Sequence, residues 1–182
     1  LDRLRFFFFF LALFPANSSA TTFGPITVGD QVKHAQYIAR GRIVGSGWVE
    51  ADSISRKPNT YWKMQVVEQL KGSPLGSEIL IRQPGGELGG MGYHVAGSAT
   101  FRAGEEVFVN LKDTEQTNAK EVIALSSGKY TVEPGENGLQ LRSGLGYILQ
   151  DESGRPISPE EFTELVRRLD EGDATEGDRN VF

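Results

Sequence analysis

The chain has 182 residues, with 19 Lys and Arg against 24 Asp and Glu, a net charge of −5 and no cysteine. Thiol catalysis, thiolate metal sites and disulfides are therefore excluded. Two histidines are too few for a three-histidine metal centre. The acidic balance argues against nucleic acid as the main partner, because phosphate binding needs a basic face.

Residues 1–20 stand apart. Arg3 and Arg5 precede nine apolar residues, Phe6–Phe14, and Ser18-Ser19-Ala20 follow. This is the pattern of a signal peptide cut after Ala20. A bilayer needs about 20 apolar residues, so the run is too short to be a membrane span. Cleavage would leave no transmembrane segment and no cysteine to carry a lipid. The protein is expected to be secreted or periplasmic, and bacterial, since small animal secreted domains usually depend on disulfides. All 22 Gly lie beyond Ala20, a composition that suits an all-β domain with tight turns.

Thr21 to Pro25 reads as an extended lead-in, and Val28 to Ala35 as a short helix with Val28, Val32 and Ala35 on one side. Tyr37 to Val49 reads as a strand whose Gly41, Gly45 and Gly47 suggest bulges or sharp coiling. A polar loop over 50–59 precedes the strand Thr60 to Leu70. There Trp62, Met64, Val66 and Leu70 share one parity and Tyr61, Lys63, Gln65 and Gln69 the wetter one. Glu68 and Val67 interrupt the alternation and predict a bulge near 67–68. Lys71 to Pro74 is a turn, and Ser77 to Arg82 a short strand.

Residues 83–92, QPGGELGGMG, read as a Gly-rich loop, either a flexible or tightly turned connection between strands or a binding loop whose backbone approaches a partner, with a short strand at Tyr93 to Val95 after it. Glu106 to Leu111 is a strand with Val107, Val109 and Leu111 facing one way, and Val122 to Leu125 another. Gly128 to Leu141 is a hairpin around Asn137-Gly138. A smaller hairpin runs from Gly146 through Gly154. Ser158 caps a helix, with Pro159 at its first position, Glu161 completing a capping box, and Ile157 and Phe162 forming a hydrophobic staple. Phe162, Leu165, Val166 and Leu169 make its apolar stripe. Residues 21–169 thus form one domain, and 170–182 read as a disordered acidic tail.

No constellation specifies a reaction. The Gly-rich loop lacks the Gly-Lys-Ser/Thr ending of a phosphate loop, and its spacing fails G-x-G-x-x-G. His34 and His94 could join Glu87 around zinc, but no helical His pair supports this. No serine sits in a G-x-S-x-G elbow. Trp48, Tyr61, Trp62 and Tyr93 could form an aromatic face, although only Lys63 and Arg82 lie nearby to serve a nucleic acid. No catalytic residue, metal or cofactor is expected.

Four phrases are similar to a group of uncharacterised exported bacterial proteins. They are Tyr37-Ile38-Ala39-Arg40-Gly41-Arg42-Ile43, Val66-Val67-Glu68-Gln69-Leu70-Lys71-Gly72, Gln83-Pro84-Gly85-Gly86 and Phe101-Arg102-Ala103-Gly104-Glu105-Glu106-Val107. The resemblance spans roughly residues 28–133. It implies an OB-type barrel like that of netrin-like modules and tissue inhibitors of metalloproteinases. Those inhibitors chelate zinc through an N-terminal cysteine. Here the expected mature terminus is Thr21, so that mechanism does not carry over.

The expectation is a mainly β protein, a five- to six-stranded OB-like barrel with a C-terminal α-helix. Its favoured role is a non-enzymatic binding module, partnered with another exported protein. The binding residues would be Tyr61, Arg82, Gly85, Gly86, Glu87, Tyr93 and His94, with Arg82 and Glu87 as polar contacts flanking the loop. A protease-inhibitor-like role and a hydrolase with an unrecognised site are the alternatives.

Overall fold

The computed structural model describes residues 26–115, 117–179 and 181. The predicted signal peptide and the lead-in Thr21–Pro25 lie outside them. A short helix, α1 (Val28–His34), precedes five strands: β1 (Tyr37–Ala51), β2 (Pro58–Lys71), β3 (Glu78–Leu88), β4 (Met91–His94) and β5 (Glu106–Asp113). After β6 (Lys120–Val122) come a 3₁₀ turn (Leu125–Gly128), β7 (Lys129–Gly135), β8 (Gly138–Ser143), α2 (Pro159–Glu171) and α3 (Glu176–Arg179).

Five strands close a ring in the order β1-β2-β3-β6-β5, with β5 pairing back to β1. Neighbours are antiparallel except β3 and β6. The protein is therefore a closed β-barrel with a C-terminal helix. The β7–β8 hairpin extends the sheet from β5, and β4 pairs with β3. Among the described residues no helix is long and apolar enough to cross a membrane.

Alternation along the strands divides the apolar residues into two cores. Val107, Val109 and Leu111 face the barrel interior with Ile43, Met64, Ile81 and Phe101. Phe108, from the other face of β5, joins Ile38, Tyr130, Leu141 and the helices. Strand β5 is thus buried on both sides, as a strand covered by helices must be. Phe162 is fully buried, with its ring 5.0 Å from those of Phe108 and Tyr130. Within this outer core Asn110 donates to Gln31 at 2.7 Å, which fixes α1 against β5.

The bulge expected near 67–68 is present. Arg40 pairs with Glu68 and Gly41 with Val66, leaving Val67 extra and exposed. A second irregularity leaves Leu70 between Gln69 and Lys71, and Leu70 packs on the outer core instead of continuing the inner row. Helix α2 begins as its sequence dictates: Ser158 accepts from the Glu161 N–H, and the Glu161 carboxylate accepts from the Ser158 N–H.

Two expectations need correction. The strand predicted over Val122 to Leu125 ends at Val122, because Ala124 and Leu125 take left-handed φ values of 53° and 56° and lead into the 3₁₀ turn. The acidic segment after α2 is not a structureless tail among its described residues. Asp178 bonds the Arg168 guanidinium at 2.6 Å, α3 forms, and buried Val181 accepts from the Val28 N–H at 3.1 Å. One ion pair and one apolar side chain, too sparse to show a periodicity, fold this segment over α1.

Candidate functional site

All seven sequence-selected residues fall on three adjacent strands. Tyr61 on β2 pairs with Arg82 on β3. Gly85, Gly86 and Glu87 pair with His94, Tyr93 and Gly92 across β3 and β4. The chemistry then divides into a closed cluster and an open hairpin.

The closed cluster surrounds Arg82. Its Nη2 donates to Glu121 on β6, and its Nη1 lies 3.9 Å from Asp52 in the β1–β2 loop. Lys112 stands 3.5 Å from the same Glu121. Asp52 is held by the backbone N–H groups of Ser55 at 2.7 Å and Ile54 at 3.1 Å. The Ser55 N–H and hydroxyl, joined by the Ile54 N–H and Arg82, hold its carboxyl below the usual range against the opposing effect of burial. Tyr61 lies beneath this cluster, 7% exposed, stacked on Trp48 at 5.9 Å. Burial pushes its hydroxyl pKa upward.

This corrects two expectations. Tyr61 is not on a wet face, because the Trp48 ring of β1 stacks on it. Arg82 is not a free polar contact, because Glu121 and Asp52 of the same chain face its two terminal nitrogens, while its buried Nε has no hydrogen-bond partner among the described residues. The aromatic face also divides. Trp62 turns to the barrel interior, 6.1 Å from Phe101, and donates to Gln83 at 3.0 Å. Tyr93 lies instead beneath the Lys57 ammonium, 5.0 Å from the ring centroid.

The Gly-rich stretch is a hairpin, not a loop. Gly89 and Gly90, at φ 59° and 79°, form a two-residue turn between the paired Leu88 and Met91. Both turn positions need positive φ in the hairpin turn that matches strand twist, so glycine suits each. At Gly86 a Cβ would meet the Val49 side chain at 2.8 Å, so the hairpin lies directly against β1. Glu87, Leu88, Met91 and His94 are exposed. No residue from 86 to 98 belongs to either core.

Sequence reading missed Leu88, Met91, Lys57, Asp52 and Glu121. The Gly89-Gly90 pair was the available signal for the hairpin. The loop-mediated contacts of Asp52, Lys57 and Glu121 had none.

The two imidazoles are on separate elements. His34 lies on α1, with Nδ1 2.7 Å from the Asp30 carbonyl oxygen, and His94 is on β4. Among the described residues no group of three or more His, Asp and Glu could hold a metal ion. Comparison with protein-family models gives no match to this chain, and comparison with curated proteins gives none either.

Proposed function

We propose that this chain is an exported, non-enzymatic binding module that contacts another exported protein through the β3–β4 hairpin and the adjoining β1–β2 loop. One observation carries the reading. The hairpin is a regular two-stranded element that contributes nothing to either core, yet displays Leu88 at 39% and Met91 at 70% exposure at its tip. Ile54, 73% exposed, crowns the adjoining loop, whose Lys57 reaches Tyr93 of the hairpin. Large apolar side chains gathered on projecting tips mark a contact surface better than they serve folding.

The ring order, with its one parallel contact between β3 and β6, supports an OB-type barrel. Such barrels commonly bind ligands over the second and third strands and neighbouring loops. Here that face is partly closed by Asp52, Arg82 and Glu121, and the hairpin carries the open surface.

The test places a photo-crosslinking residue at Met91, or at Val67 as an exposed control, in the full chain expressed in exporting bacteria. A discrete adduct with another exported protein from Met91, absent from Val67, is the expected result. Equal labelling from both sites removes the reading. N-terminal sequencing of the exported product is expected to begin at Thr21.

A further inference from the structure

Strand edges distinguish β4 from the rest of the fold. The ring closes on itself, and most of its backbone groups pair within it. Stretches lacking a second strand are protected in other ways. The outer half of β1 has the bulge between Val44 and Trp48 and carries Glu50. The end of β2 carries Glu68 and Lys71, and the end of β7 carries Glu133 and Pro134. Strand β8 carries Arg142, which also bridges to Ile148. Charges, proline and bulges are the usual guards against strand addition. Among the described residues strand β4, Met-Gly-Tyr-His, pairs only with β3 and has none of them.

The hairpin geometry shows which groups of β4 are open. A two-residue turn makes Leu88 and Met91 the hydrogen-bonded pair, so Glu87 and Gly92 form the next, non-hydrogen-bonded pair. The N–H and C=O of Gly92 therefore point away from β3. The alternation holds two pairs further on, where the Gly85 carbonyl turns from His94 and accepts from Thr60 Oγ1 at 2.8 Å. Gly92 has no side chain to screen its backbone, and nothing lies within 4 Å of the position of a Cβ.

We infer that β4 is the docking edge for an extended segment of a partner protein, which adds to the β3–β4 hairpin as a third strand. An open edge of this kind is matched by another extended backbone. Leu88 and Met91 lie beside it and suit apolar side chains of the incoming strand. Arg56 and Lys57 are exposed on the adjoining loop, with no ion pair among the described residues, and Lys57 stands over Tyr93 of β4. The segment is therefore apolar toward the hairpin tip and acidic opposite Tyr93, where the Lys57 ammonium lies. The inference rests on the proposed binding role and specifies its partner.

The test uses a displayed library of random twelve-residue peptides, selected on the full chain. Sequences that alternate apolar residues and carry an acidic residue are expected to be enriched. Gly92→Pro removes the outward N–H and leaves the β3 pairing intact, since proline is tolerated on an open strand edge. It is expected to weaken the selected peptides at least tenfold, while Val67→Ser leaves them unchanged. Amide exchange guards against misfolding of the variant: Gly92 N–H exchanges freely in the unliganded chain and becomes protected with peptide, while Tyr93 N–H is protected throughout. Binding lost with Met91→Ser but indifferent to Gly92→Pro would overturn strand addition and retain the hairpin as the contact surface. Indifference to both, or no enrichment, would overturn both readings. Gly92 protection that rises with protein concentration alone would assign the edge to a second copy of the chain and overturn the partner segment.

Discussion

The helix-packed side of the barrel and the β3–β4 hairpin use the same alternation of strand side chains to opposite ends. On the helix side, β5 is buried on both faces, and α1 and α2 cover Ile38, Phe108, Tyr130 and Leu141. Among the described residues the hairpin belongs to neither core, and its large apolar groups, Leu88 and Met91, stand in solvent. Apolar residues stabilise a fold only where another element lies over them. The first region is built for stability, and the second is left for contact.

Substitutions should divide along the same line. Phe162→Ala, in the centre of the helix-packed core, should cost about 3–5 kcal/mol in denaturant unfolding. A loss below about 1 kcal/mol would show that α2 is not integral to the fold. Asn110→Ala leaves the Gln31 Oε1 buried without its donor and should cost about 1–3 kcal/mol.

Acid should act on the same side through the C-terminal segment. The Arg168 guanidinium holds Asp178 down to about 2, helped by Thr175. Its contribution is complete above the ordinary carboxylate value near 3.8 and is lost as pH falls through about 2. The protection factor of the Val28 N–H, which donates to Val181, taken against the intrinsic exchange rate at each pH, should fall in that window and stay flat from pH 5 to 8. At the other extreme, Met91→Ser should change stability by no more than about 0.5 kcal/mol. A larger loss would mean that the tip packs against the barrel.

The two regions also differed in how legible they were in the sequence. Ser158, Pro159 and Glu161 carry a start signal that needs no tertiary context, and the helix begins there. The parity of Val107, Val109 and Leu111 placed them on one side because β5 runs without a bulge. Strand β2 has two irregularities, so Leu70 left the row that Met64 and Val66 define. Tyr61 kept the expected parity, and the Trp48 ring of β1 stacks over it, a cross-strand contact that alternation within β2 cannot reveal. Glycines at 85, 86, 89 and 90 carry no side-chain periodicity, so the hairpin looked like a loop. The seven chosen residues nevertheless share one run of three strands, because strands close in sequence pair through short turns.

The most direct measurement removes the hairpin. Replacing residues 87–92 by Asn-Gly joins Gly86 to Tyr93, the next hydrogen-bonded pair, by a tight turn and deletes both apolar tip residues. The account predicts an unfolding free energy within about 1 kcal/mol of the parent chain, a shift of about 2–4 °C at most, together with complete loss of binding to the selected peptides. A barrel that fails to fold without the hairpin, or one that binds those peptides undiminished, would contradict it.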